Sequence, residues 1–179
     1  GFLTGLELGA VEDGLLATLS ASGRAGVIAM PGHAARSVVA AVERLPELRV
    51  IRPALVASPS LQPPASRLAR AWTREAALGE VLKGRLTITG PVTASELALP
   101  LGVLAEDVDA ALLSLEAEGV VLRGRFTPGE AALEWCDRSL LARIHRYTVQ
   151  RLRAEIAPVS PGEFMRFLFR WQHVEPSTR

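Results

Sequence analysis

Residues 90–126, GPVTASELALPLGVLAEDVDAALLSLEAEGVVLRGRF, predict a helix, a turn, a second helix and then a β-hairpin arm, the wing. Thr93 can cap the first helix, and Glu96, three residues later, completes a capping box. The segment Leu99-Pro100-Leu101-Gly102 is expected to end this helix, because proline lacks an amide donor and glycine tolerates the turn. The stretch therefore opens with a short, capped helix whose Leu97 faces a core.

The second helix is predicted from apolar residues at helical spacing. They are Leu104, Val108, Leu112 and Leu115, with Ala111 between them, and Gly119 is expected to close the helix. Val120–Phe126 has strand character, and Thr127-Pro128-Gly129 predicts a turn. A further helix is predicted over Trp72–Leu82. This order of elements predicts a winged helix-turn-helix domain over residues 72–137.

Size and composition place few limits on the class of protein. The chain has 179 residues, 49% of them hydrophobic, which suits one compact domain or two small ones. No apolar run approaches the roughly 18 residues of a membrane helix, and Gly1–Thr4 lacks the features of a signal peptide. The expected location is therefore the cytoplasm, with no membrane partner.

Charge is distributed unevenly along the chain. The net charge is +1, but residues 1–70 carry +2, residues 71–137 carry −6 and residues 138–179 carry +5. The predicted winged helix is therefore acidic, and the segment after it is basic. Attraction for phosphates is expected mainly outside the winged helix.

The first 71 residues predict a small α/β unit. A helix is predicted over Val11–Ser20, with Leu15, Leu16 and Leu19 facing inward, and strands over Gly23–Met30 and Arg36–Val42. The turn between the strands contains His33. This unit resembles half a winged helix and continues into a short helix over Glu43–Leu48. Prolines at positions 53, 59, 63 and 64 then predict an extended connector rather than a core element.

Residues 138–179 are predicted to form basic helices that open an incomplete further domain. On the helix over Arg138–Ile156, the apolar face contains Leu141, Ile144, Thr148 and Leu152, and the polar face contains Arg143, Arg146, Gln150 and Arg153. A second helix over Ser160–Trp171 has Ser160 as N-cap, Pro161 in the first turn and Glu163 at its third position. Its apolar set is Phe164, Phe167, Leu168 and Trp171. The fold class expected overall is α+β.

No catalytic or metal site is predicted in this chain. The three histidines, His33, His145 and His173, lack the HxxxH and HExxH spacings of a helical metal site. Cys136 is the only cysteine, which excludes an internal disulfide, and its neighbour Trp135 favours a core position over a nucleophile.

Several segments in one order resemble the large helicase-related (Lhr) family. The similarity is strongest from residue 72 to residue 174. The segments that carry it are Trp72-Thr73-Arg74-Glu75-Ala76-Ala77-Leu78, the winged helix, Leu122-Arg123-Gly124-Arg125-Phe126, Glu134-Trp135-Cys136-Asp137-Arg138, Leu140-Leu141-Ala142-Arg143-Ile144-His145-Arg146-Tyr147-Thr148, Phe164-Met165-Arg166-Phe167-Leu168 and Trp171-Gln172-His173.

The resemblance implies an accessory region of a superfamily 2 helicase, following two RecA-like motor domains. Members of this family use ATP and Mg²⁺ to translocate on single-stranded DNA and unwind duplexes, including RNA-DNA hybrids, with proposed roles in DNA repair. This chain contains neither GxxxxGK[ST] nor a DExH box. ATP hydrolysis and its cofactors are therefore expected in the parent enzyme, and the fragment itself is expected to hold no cofactor and no catalytic residue.

Two functions are compatible with these patterns. In the first, the chain contacts single-stranded or duplex nucleic acid through the wing residues Arg123 and Arg125, the basic helix, and Trp171, which can stack on a base, although helical spacing favours core packing for that residue. The second is a bracing module that docks on the motor domains, without nucleic-acid affinity. The carboxylates Glu106, Asp107 and Asp109 would repel phosphates, which argues against reading of base edges by their helix.

Overall fold

The computed structural model describes residues 2–4, 7, 13–29 and 37–174, which have the predicted α+β composition. The helices are α1 (Asp13–Ala21), α2 (Leu45–Ile51), α3 (Ala65–Leu68), α4 (Arg74–Leu86), α5 (Ala94–Leu101), α6 (Ala105–Ala117), α7 (Arg138–Ala154) and α8 (Pro161–Trp171). The strands are β1 (Phe2–Thr4), β2 (Ala25–Ala29), β3 (Ser37–Ala41), β4 (Val56–Ser58), β5 (Val121–Gly124) and β6 (Glu134–Asp137). The chain divides into two compact units, residues 1–142 and 143–179.

An antiparallel sheet with strand order β1-β3-β2-β4 lies at the start of the first unit. The predicted helix and hairpin correspond to α1, β2 and β3, with Val27 opposite Val39 in the pairing of the two strands. The turn predicted around His33 lies outside the described residues. Leu15 was expected to face inward but is 52% exposed. The two outer strands, β1 and β4, were not predicted, so the unit is a larger sheet than half a winged helix.

The proline-rich connector contributes to this sheet and to the core, contrary to the prediction. Its residues Val56–Ser58 form β4, which pairs with β2, and Leu61 is only 3% exposed. Gly26 permits this packing, because a Cβ atom there would lie 2.9 Å from the Ser58 carbonyl oxygen and 3.0 Å from the Leu61 Cδ1 atom. The connector is thus held against the sheet at a position that only glycine fits without rearrangement.

Helix α5 begins at the predicted cap and ends, as predicted, within the segment Leu99-Pro100-Leu101-Gly102. The Thr93 amide donates to the Glu96 carboxylate at 2.8 Å, and the Glu96 amide donates to the Thr93 hydroxyl at 3.3 Å, which confirms the capping box. Pro100 lies inside the last turn of the helix. Gly102, at φ 61°, ends it in the left-handed conformation. Glycine, rather than proline, therefore sets this boundary.

Helix α6 and the β5-β6 hairpin follow in the predicted order. Val108, Leu112 and Leu115 are buried as expected, but Leu104 is 67% exposed because it is the N-cap residue, before the first helical turn. The hairpin pairs Leu122 with Cys136. Its strand β6 also exchanges backbone hydrogen bonds with Val92, which fixes the hairpin to the segment before α5.

One hydrophobic core runs through the sheet, the helices α4–α6 and the hairpin. Arg85 on α4 reinforces it, since its guanidinium donates to the Phe2 carbonyl at 2.8 Å and to the Glu7 carboxylate. Burial alone would raise the pKa of Glu7, but hydrogen bonds from Arg85 and Thr4 outweigh it and lower the pKa to about 2. The domain boundary predicted between residues 71 and 72, which separates the small α/β unit from the winged helix, stays a prediction.

The second unit contains the rest of α7 and α8. Ser160 and Glu163 form the predicted capping box, with the Ser160 amide 2.8 Å from the Glu163 carboxylate. None of the side chains described over residues 143–174 is buried. Phe164, Phe167 and Trp171 were expected to pack in a core but are 51%, 54% and 70% exposed. Two helices alone provide no second layer against which these rings could be buried.

Candidate nucleic-acid interface

Helix α7 places four of the predicted site residues on one face. Arg143, Arg146, Gln150 and Arg153 are all exposed. At 100° per residue they lie within an arc of about 80°, and the first and last are about 15 Å apart along the axis. The sequence offers no glycine or proline between Arg138 and Ala154 that would interrupt the helix. We call these four residues the basic face.

The three arginines of the basic face make no ion pair with any described residue. Helix α7 does contain the pair Arg151–Glu155, at 3.6 Å, but Arg151 is not a member of this face. Guanidinium groups remain charged at all physiological pH values and bind oxyanions in a bidentate manner. Because these three have no ion pair among the described residues, they can contact phosphates without first breaking one.

Helix α8 exposes aromatic side chains in the same unit. The Phe167 and Trp171 rings lie 5.9 Å apart between centroids, tilted by 32°. Arg166 and Arg170 are exposed on the same helix. With 70% of its surface exposed, Trp171 has indole surface available for stacking. Trp171 is therefore not packed in a core, although its helical spacing favours core packing.

The two predicted arginines of the hairpin differ in their surroundings. Arg123 lies 3.5 Å from the Glu116 carboxylate, and its guanidinium is 5.6 Å from the centre of the Trp135 ring. Arg125 is exposed and has no ion pair among the described residues. Arg125 is therefore the freer of the two to contact an anion, whereas Arg123 already contributes to the packing of the hairpin.

Glu134 organises the turn of this hairpin. Its carboxylate accepts hydrogen bonds from the Phe126 and Thr127 amides at 2.7 and 2.8 Å and from the Thr127 hydroxyl at 2.7 Å. The Thr127 hydroxyl is the main reason that the pKa of Glu134 is lowered, with the amides adding to it and burial opposing it. The turn that follows Arg125 is thus held by an ionised side chain.

Helix α6 presents carboxylates where a helix-turn-helix would present base-reading residues. Glu106 and Asp109 are exposed, and Asp107 accepts a hydrogen bond from Arg74 at 2.9 Å. Negative side chains near the start of a helix interact favourably with its dipole. This surface would repel a phosphate backbone.

A groove between α4 and α6 was not anticipated from the sequence. Its volume is about 580 Å³. Small residues at helical spacing on both helices are the signal that could have indicated it. The lining residues are Arg70, Trp72, Thr73, Arg74, Glu75, Ala76, Leu78, Gly79, Glu80, Lys83, Asp107, Ala110, Ala111, Ser114, Leu115 and Glu118.

The described residues contain no cluster of three or more His, Cys, Asp or Glu side chains that could hold a metal ion. Cys136 is fully buried, and burial, followed by the charges of Asp137 and Glu134, raises the pKa of its thiol. A buried thiol of raised pKa is a poor nucleophile. No helix in the described ranges is long and apolar enough to cross a membrane.

Comparison with known proteins found one informative relationship. No protein-family profile matches the chain. A segment of 97 residues, 54% of this chain, is 31% identical to the "Lhr helicase/ probable uracil glycosylase" of Mycolicibacterium smegmatis. The match covers 6% of the length of that relative. It supports a relation to the Lhr-like helicases at the level of the family, over part of the chain.

Proposed function

We propose that this chain is an accessory, nucleic-acid-contacting region of an Lhr-type ATP-dependent helicase. The basic face of α7 is the observation that carries the proposal, because three arginines with no ion pair among the described residues share one exposed helix face. The partial similarity to an Lhr helicase supports the same function.

Each part of the chain has its own role in this proposal. The segment from α4 to β6 is a winged helix that braces the RecA-like motor domains of the parent chain. The basic face contacts the phosphates of the strand, with Arg125 as a further contact and Arg123 a weaker one because of Glu116. Trp171 stacks on an unpaired base. ATP and Mg²⁺ would bind the motor domains, and unwinding of DNA duplexes or RNA-DNA hybrids during repair would be the activity of the whole enzyme.

The test is fluorescence anisotropy of labelled single-stranded DNA, duplex DNA and an RNA-DNA hybrid titrated with the 179-residue chain at several salt concentrations. We expect binding that weakens steeply as salt rises, because phosphate contacts release counterions. Absence of binding even at low salt would refute nucleic-acid contact by this chain.

A second candidate function is docking of a protein partner. It is favoured by the exposed carboxylates of α6, which belong to a segment, residues 71–137, with a net charge of −6. In this case the module braces the motor domains and has no nucleic-acid affinity of its own. Reversing the charge of Glu106 and Asp109 would then disrupt assembly with the motor domains and leave any DNA binding unchanged.

A further inference from the structure

We infer that Tyr147 is a base-stacking residue at the edge of the basic face of α7. The inference rests on the proposed function and deepens it, because it adds a contact with a base to contacts that involve only phosphates. A residue of this kind gives the helix a preference for unpaired strands over duplexes.

Tyr147 lies in a row of side chains along α7. Arg143 is four residues before it and Arg151 is four residues after it, so the three side chains are neighbours on the helix surface. Each step along this row rises about 6 Å. Gln150, three residues after the tyrosine, lies beside it as well. The phenol ring therefore has a guanidinium group about one turn away on each side.

The ring of Tyr147 is open to solvent. It is 65% exposed, whereas Ile144 and Leu152, on the apolar face of the same helix, are 38% and 57% exposed. At 100° per residue the tyrosine is about 40° from Arg143 and about 140° from Leu152. Its side chain makes no hydrogen bond and no ring contact with any described residue. Neither core packing nor an internal partner therefore accounts for an aromatic side chain at this position.

These surroundings suit an unpaired base. Every base has a flat π-face on which an aromatic ring can stack, and arginines beside the ring can bind phosphates of the same strand. In a duplex the faces of the bases are covered by the neighbouring base pairs, so the ring would reach only sugars and phosphates. Stacking thus adds affinity for a single strand, whereas the arginines alone attract the phosphates of single strands and duplexes alike.

The test measures fluorescence anisotropy of labelled DNA with the 179-residue chain and three variants. Tyr147→Ala removes the ring, and Tyr147→Phe keeps the ring without its hydroxyl. Leu152→Ala is a matched control at an exposed position on the opposite side of α7. The ligands are a single strand of about 12 nucleotides, a strand of the same length that consists of abasic sites, and a duplex. Circular dichroism verifies that the variants fold.

We expect Tyr147→Ala to bind the single strand about fivefold or more weakly than the unchanged chain, as for the loss of one stacked base. Tyr147→Phe and Leu152→Ala should bind it with nearly the original affinity. For the abasic strand and the duplex, Tyr147→Ala should match the unchanged chain, because neither ligand offers a free base face. The dependence of affinity on salt should be the same in all of these proteins, since no charge is changed. Trp171 is present in each of them, so stacking on that residue does not affect the comparison.

Three results would overturn the inference. One is equal binding of the single strand by Tyr147→Ala and the unchanged chain, with a steep salt dependence that leaves the proposed phosphate contacts in place. Another is the same loss on the abasic strand or in Tyr147→Phe, since the helix itself or the phenol hydroxyl, rather than the ring, would then be responsible. The third is no binding of any of these DNA ligands at low salt, which would refute the proposed function as well.

Discussion

Neutralising the basic face tests the proposed function most directly. The variant replaces Arg143, Arg146 and Arg153 with Gln, which removes three charges and keeps residues that favour a helix. All three side chains are exposed and none forms an ion pair with a described residue. The substitutions should therefore leave the stability of the helix nearly unchanged, and a loss of binding can be attributed to the missing charges.

The expected magnitude follows from counterion release. On a single strand each phosphate contact contributes about 0.7 to the slope of log K against log salt, so three contacts contribute about 2. The slope should fall by about 2 in the variant. Near 0.1 M salt this corresponds to a loss of affinity of about 100-fold.

The assay is anisotropy of a labelled single strand at four or more salt concentrations. The matched control replaces three exposed bases of the first unit, Arg24, Arg49 and Lys83, with Gln, and so has the same net charge as the variant. The control should bind with nearly the original slope. Equal losses in the two variants would show that net charge, rather than the basic face, attracts the strand, and an unchanged slope in the α7 variant would refute the reasoning.

Three further predictions concern stability and can be measured by urea denaturation followed by circular dichroism. Thr93→Ala should cost about 1 kcal/mol, because the capping box of α5 is lost, and an unchanged midpoint would show that the cap is dispensable. Leu112→Ala should cost about 2–5 kcal/mol, since this side chain is fully buried, whereas its exposed neighbour, Leu113→Ala, should cost far less; similar costs at the two positions would contradict the burial described. The pKa of Glu7 is lowered from 4.5 to about 2 in the folded protein, so the stability from its contact with Arg85 is present above about pH 4.5 and is lost as the pH falls toward 2. Glu7→Gln should flatten the stability curve in that range, and an unchanged curve would contradict this assignment.

Features that depend on neighbouring residues could be predicted from the sequence. The capping boxes at Thr93 and Ser160 and the buried stripe of α6 follow from residues three or four positions apart. The basic face of α7 follows in the same way, because one unbroken helix fixes the relative directions of its side chains.

Features that depend on distant parts of the chain could not be predicted. Strand β1 pairs with β3 across more than 30 residues, and β4 arises within a proline-rich segment that reads as a connector. The exposure of Trp171 has the same origin, since helical spacing shows which residues share a face but not whether another element covers it. The groove likewise requires α4 and α6 to lie side by side. The small residues of each helix could have indicated a face able to line a groove, but they do not specify that these two faces meet.

The three tryptophans lie in three different environments, and this distribution makes the chain its own spectroscopic reporter. Trp135 is buried in the core at 1% exposure, Trp72 is half-buried beside the groove, and Trp171 is 70% exposed on α8. Variants that retain one tryptophan each would give separate emission signals for unfolding of the core, for changes beside the groove and for stacking on a base. Acrylamide should quench Trp171 readily and Trp135 hardly at all. Events at the groove and at α8 could thus be followed independently, without attaching a dye to either.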